Sequence, residues 1–367
     1  MAFKKNNKQT HVQTLLIIFI LTLFTGACGM VGSSNDNLTF PSQWLVNENE
    51  IVEGGPGVDG IPSIENPKFI KASEAVFLDP NRRVAGIKVG NEVKAYPHQI
   101  MDQHEIVNDN LNEEAVTITF CPLTGTSIAA SRVLNGRGAE FGVSGLLFRN
   151  NLIMYDRLTE SFWSQIQLRS IGGDLAGEDL EVIQMVETTW GLWRKMYPDS
   201  EVLSDETGFG RNYNTHLYGS DFTTNHNRII FPVRNNDERL QRKDRVHALI
   251  PSNADETANV IAFVIKEFGN SMTIKESQFM GKEVIAVGNN DLDIINTFYL
   301  ISDFEKSLIF EPIDGELPIV MQDQLGNKWD IFGHAIEGPN TGEKLTETRS
   351  FTGYWYALAD FYPNIEI

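Results

Sequence analysis

IMYDRLTESFW (residues 153–163) and VMQDQLGNKW (320–329) are one short pattern written twice, with a single residue deleted from the second copy. Each carries an apolar β-type run, an aspartate, a turn and a closing tryptophan, so that Asp156 aligns with Asp323 and Trp163 with Trp329. Further along, at a fixed offset of 165 positions, Tyr197-Pro198 matches Tyr362-Pro363, Trp190 matches Trp355, Gly177 matches Gly342 and Leu180 matches Leu345. Ordered matches over about 45 residues read as an internal duplication. Each half is expected to run through strands, an Asp-turn hairpin closed by Trp, a Gly-containing loop and an aromatic helix ending in Tyr-Pro.

The rest of the first half supports a β-rich reading. VAGIKVG (84–90), EVKAYP (92–97), AVTITF (115–120), AEFGVSGLLF (139–148), NLIMYD (151–156) and SFWSQI (161–166) are strand-like, and the turns between them are too short for βαβ crossovers. Two helices are expected. ETTWGLWRKMYPD (187–199) has Thr188 or Thr189 as N-cap and Pro198 as terminator, and SFTGYWYALADFYPN (350–364) stops at Pro363. The fold class is therefore mainly β with a few short helices, a β-rich α+β protein of two similar halves.

The first residues read as a targeting segment. Lys4, Lys5 and Lys8 precede the apolar core LLIIFILTLF (15–24), and TGA precedes Cys28, a pattern that resembles a bacterial lipobox whose cysteine is acylated, for example with palmitate. The expected organisation is a signal peptide (1–27), a lipid anchor and tether (28–53), a first half carrying the candidate site (54–205), a connecting segment (206–239) and a second, degenerate half (240–367). The location expected is the bacterial cell envelope, lipid-anchored and facing outside the cytoplasm, with the membrane met through the anchor alone. Loss of the three lysines takes the formal charge from −19 to −22, which repels phosphate backbones, so nucleic acid is not an expected partner. A small molecule or an envelope protein remains open.

With Cys28 acylated, Cys121 is the one thiol left, and no disulfide can form within the mature chain. It sits in FCPLTGTS (120–127), at the end of a β-type run and before a Gly-containing turn whose backbone N–H groups could face an anion. YPHQIMDQHEIVND (96–109) precedes it and supplies His98, Asp102, His104, Glu105 and Asp109. At helical spacing His98 would lie near Asp102. One reading makes Cys121 a thiolate nucleophile or metal ligand, His104 its base or co-ligand, and Glu105 or Asp109 the group that orients the imidazole. The same residue types suit copper or zinc. The loop 54–63, which contains Asp59, would wall a pocket together with Trp163 and Gln165. The other reading makes Cys121 an inert core residue of a noncatalytic module that binds a small ligand or partner through its aromatic loops. His98, His216, His226 and His247 are read as structural.

GGPGVDGIPSIENPKF, AYPHQIMDQHEIVND, FCPLTGTS, FGVSGLLFRNNLIMYDRLTESFWSQ and TGFGRNY, in this order, resemble the bacterial and archaeal DUF3179 family. The resemblance runs from about residue 54 to the C-terminus and implies no reaction, because the family's function is unknown. By position it implicates His104, Glu105, Asn108, Asp109, Cys121, Ser144, Tyr155, Asp156, Arg157, Trp163 and Gln165. Many members resemble CPLCGT where this chain has Thr124, a departure that removes a CxxC dithiol and the easiest redox or two-thiolate zinc reading.

Overall fold

Turns of two to five residues leave no chain for a crossover, so neighbouring strands of the first half fold back on each other. In the computed structural model, which describes residues 38–367, the fold is mainly β with four short α-helices among the described residues. The signal peptide, Cys28 and GSSNDN (32–37) lie outside the described residues. Leu38 to Glu53, read from sequence as part of the tether, is docked: Ile51–Glu53 pairs with Phe141–Phe148, and Phe40 and Trp44 both pack on the Phe162 ring.

Three sheets build the first half. Met185–Thr189, Arg83–Val89 and Glu92–Pro97 run side by side, extended by Glu201–Leu203 and Phe69–Lys71. Val182–Ile183, Thr126–Ser131, Glu114–Cys121 and Ile106–Leu111 form the second. The third has Phe141–Phe148, Asn151–Asp156, Phe162–Ser164 and Arg169–Gly172, with Ile51–Glu53 on its edge.

The same strand orders recur after residue 244. Ser350–Tyr354, Arg245–Leu249 and Ile261–Val264 repeat the first sheet, and Thr346–Glu347, Ile294–Leu300, Lys282–Asn289 and Thr273–Phe279 repeat the second. Phe310–Pro312, Ile319–Asp323, Lys328–Asp330 and Ala335–Glu337 repeat the third. The repeated Asp-to-Trp pattern has a local cause. Asp156 accepts from the Leu158 and Thr159 amides and from Trp163 Nε1 at 3.0 Å; Asp323 accepts from the Leu325 and Asn327 amides and from Trp329 Nε1, also at 3.0 Å. One buried carboxylate thus closes each turn and satisfies the indole that follows it.

The helices are shorter than expected. Trp190–Met196, capped by Thr189, begins only after the strand Met185–Thr189, and Trp355–Phe361 only after Ser350–Tyr354. Thr189 takes the N-cap position expected of Thr188 or Thr189, whereas residues 350–354, expected to be helical, are held extended by edge pairing with Arg245–Leu249. Each helix then packs in the other half's territory. Trp190, Trp193 and Met196 share a core with Val320, Trp329, Ile331 and Phe332, whereas Trp355, Leu358, Phe361 and Tyr362 share one with Phe148, Ile153, Phe162 and Ile166. Tyr362 Oη donates to Ile166 O at 3.2 Å, and the Trp193 and Phe332 rings meet edge to face. Two large core clusters thus span both halves, smaller ones such as Ile265, Phe268, Ala286 and Ile295 lie within one half, and described residues 38–367 fall within one compact unit.

Candidate functional site

Antiparallel register would carry His104 to Cys121, because Ile106 faces Thr119 and the Glu105 carbonyl accepts from the Phe120 amide. The strand ends one step too early. Glu105 has φ 58°, a left-handed turn that swings the residue before it off the ladder. His104 instead places Nδ1 2.7 Å from Pro62 O and Nε2 2.7 Å from Tyr213 Oη. A carbonyl can only accept, so Nδ1 carries the proton and Nε2 accepts from the tyrosine. Burial pushes this imidazole down to about 4, against the pull of the Pro62 carbonyl, and keeps it neutral. The expected Cys121–His104 pair is not formed: His104 ties the 54–63 loop to the connecting segment.

Cys121 is 1% exposed, and its Sγ meets Asn150 O at 3.8 Å. Burial, reinforced by the Glu105 carboxyl, pushes the thiol up to about 11, so the thiolate is disfavoured. Among the described residues no group of three or more His, Cys, Asp or Glu side chains is placed to hold a metal ion.

The binding candidates are internal ties rather than the walls of a pocket. Arg157 grips Asp59 through both guanidinium nitrogens, at 2.7 and 2.9 Å, and Tyr155 Oη donates to the same carboxylate at 2.6 Å. Asn108 bonds both backbone groups of Phe141, Asp109 accepts from Lys94 and Tyr96, and Ser144 donates to Ile153 O. Trp163 and Gln165, expected beside a pocket, are fully buried; Gln165 sits in a closed network with Thr119, Thr126 and Asn151.

A cleft of about 290 Å³ opens elsewhere, between the halves. The first half lines it with Arg82, Arg83, His98, Gln99, Asp102, Pro122 and Glu187, the second with Arg245, Asp293 and Tyr354. The connecting segment, which has neither helix nor strand from residue 204 to 244, lies along it with His216, Tyr218 and Phe222. Lys243 pins that strap by donating to Phe222 O and standing 3.5 Å over its ring. On one side Arg245 pairs with both Glu187 and Asp293, and Asp293 also takes Arg83. His98 stacks on Phe120 and places Nε2 3.1 Å from Ser127 Oγ.

The other side is less settled. Gln99 is 2% exposed, yet its Nε2 has no hydrogen-bond partner. Asp102 and Glu105 likewise have none among the described residues, and burial pushes them up to about 7 and about 8, Arg82 opposing the first and Asp102 reinforcing the second. Burial and the acidic groups of Glu105, Cys121 and Asp102 raise the Tyr218 hydroxyl too. Buried polar groups are nearly always paired, so the unpartnered Gln99 Nε2 and Glu187 Oε1, both on the cleft lining, mark it out. Helical spacing in HQIMD brought His98 and Asp102 together, as the helix His98–Met101 and its C-cap do. Arg82, Gln99, Tyr218 and Arg245 carried no such signal, coming singly from four distant segments.

No curated protein and no solved structure matches the chain. The family model for DUF3179, described as a protein of unknown function, matches residues 58–365, which takes in both halves, the strap and every residue of the cleft. The chain therefore belongs to the DUF3179 family.

Proposed function

We propose that this protein is a noncatalytic, lipid-anchored module of the bacterial envelope that binds a small ligand in the cleft between its two halves, with Cys121 as a buried neighbour of that site. The observation that carries the reading is the buried Gln99 Nε2, which has no hydrogen-bond partner and lines the cleft beside Asp102. The cleft also has the usual composition of a ligand site, with apolar Phe120, Pro122 and Phe222 among a few convergent polar groups. The recurring strand orders support a shared origin for the halves, one of which kept an open turn at the cleft. A thiol-dependent reaction would need a thiolate, and at pH 7 a thiol at about 11 is ionised in only about one molecule in ten thousand. A copper or zinc centre would need further donors beside Cys121.

Thiol titration of the Cys28→Ala variant tests this directly, because Cys121 is then the one cysteine left in the chain. The expected result is no labelling of the folded protein and one thiol per chain after denaturation. Rapid stoichiometric labelling of the folded form would overturn the buried-thiol reading. The same variant should fail to remain with the membrane after processing, since acyl chains supply the affinity.

A further inference from the structure

The unpaired groups of the cleft share a chemical bias. Arg82 has no carboxylate within ion-pair distance among the described residues; its contact is His216, whose Nε2 accepts from Arg82 Nη2 at 2.9 Å. Most of its N–H donors therefore remain uncommitted. Gln99 adds a buried, unpartnered amide N–H, and Tyr218 a hydroxyl with no partner among the described residues. The carboxylates on the far side, Glu187 and Asp293, are already neutralised by Arg245 and Arg83. Glu187 Oε1 stays an unpartnered acceptor on that far side, but the groups left over beside Gln99 are donors: the Arg82 guanidinium, the Gln99 amide and the Tyr218 hydroxyl.

We propose that the cleft binds a small organic anion through its carboxylate or phosphate oxygens, with Arg82 as the charge partner, Gln99 Nε2 and Tyr218 Oη as further donors, and Asp102 beside them. The inference rests on the cleft being the binding site and names the ligand's chemical class. Planar guanidinium geometry suits either oxyanion, and the enclosed volume limits the ligand to a few carbon atoms beyond its charged group. The groups acting on Asp102 are Arg82 from the loop before its sheet, Glu105 from its own turn, Tyr218 from the strap and Tyr354 from the second half. Arg82 is the one cation among them, so a bound anion opposes ionisation of Asp102, and binding is coupled to its proton. Affinity should be full below about pH 7 and fall above it, approaching about tenfold per pH unit.

Calorimetric titration of the mature protein with succinate, inorganic phosphate and, as a cationic control, 1,4-diaminobutane tests the proposal. At least one anion should bind at pH 6, weaken about fivefold between pH 7 and pH 8, and lose at least tenfold affinity in Arg82→Gln. Asp102→Asn keeps an N–H donor and should bind at pH 6 while losing the dependence above pH 7. A preference for phosphate or for succinate decides between the two oxyanion sources. Binding of the diamine alone, abolished by Asp102→Asn, would overturn the anion assignment and leave the cleft standing as a site. Anion binding indifferent to Arg82→Gln and Asp102→Asn, or no binding by any of the three probes, would overturn the assignment; the first of these would also move the site away from the cleft.

Discussion

Two turns occupy the same place in the two halves and have gone separate ways. Cys121 pairs with Thr126 across the first, and Asn289 with Ile294 across the second, each at the end of the two central strands of a four-stranded sheet. Their fourth intervening residues share a left-handed backbone: Gly125 has φ 61° and Asp293 φ 50°. Gly125 is required on steric grounds as well, because a Cβ there would meet the Tyr354 ring at 2.6 Å. Each turn is also gripped by the strand of the other half that leads into its Trp helix. Tyr354 N donates to Thr124 O at 2.9 Å, and Thr188 Oγ1 donates to Leu292 O at 2.9 Å.

The chemistry diverges on that common frame. Asp293 fills its side of the cleft with ion pairs to Arg83 and Arg245, and Asn289 satisfies its own turn by accepting from Leu292 N. Pro-Leu-Thr-Gly has no charge to contribute and leaves Gln99, Asp102 and Glu105 without partners. One turn is tied up in ion pairs. The other borders the cleft, with Cys121 buried beneath it.

The comparison breaks first at the exchanged helices. Trp193→Ala and Trp355→Ala remove fully buried indoles that stand on opposite helices, and each should cost roughly 3–5 kcal/mol in denaturant unfolding. A near-neutral result at either would show that the reciprocal packing does not hold the halves together. Next comes the closed side of the cleft. Arg245→Met leaves Glu187 and Asp293 short of their cation and should cost roughly 3 kcal/mol. Burial opposes ionisation of Glu187, but Arg245 and His98 hold its carboxyl down to about 2. A carboxylate with a depressed folded-state value contributes stability above its unfolded value, near 4.5, and loses it as pH falls through about 2. Arg245→Met should therefore flatten that acid limb of the stability curve; an unchanged limb would contradict the assignment.

The Asp turns give the smallest and most symmetrical test. Asp156→Asn and Asp323→Asn each weaken several hydrogen bonds to a buried carboxylate and should cost about 1–3 kcal/mol, by similar amounts in the two halves. A large cost in one and none in the other would mean that the shared pattern has different jobs.

Those turns were legible in the sequence because an Asp-turn, a fixed spacing and a Trp act within a dozen residues, where local chemistry decides the structure. The strands were legible for the same reason. The first helix's Thr189 cap was legible too, but the start of the second helix was not, since Phe351-Thr-Gly is held extended by a strand about 100 residues away. His104 and Cys121 looked like partners because hairpin register alone would bring them together, and one left-handed residue, Glu105, undoes it. The cleft was hidden most deeply: His98, Gln99 and Asp102 lie near each other in the chain, but Arg245, Asp293 and Tyr354 come from the other half, and the strap that covers them follows a hundred residues later.

Native mass spectrometry of the protein purified from its native source decides whether the cleft or the thiol is the working site. With a bound small molecule present on the wild type, the added mass should be retained by Cys121→Ser and lost from Arg82→Gln and Gln99→Leu, all three variants keeping the wild-type unfolding profile. An added mass that disappears with Cys121→Ser and persists in both cleft variants would contradict this account.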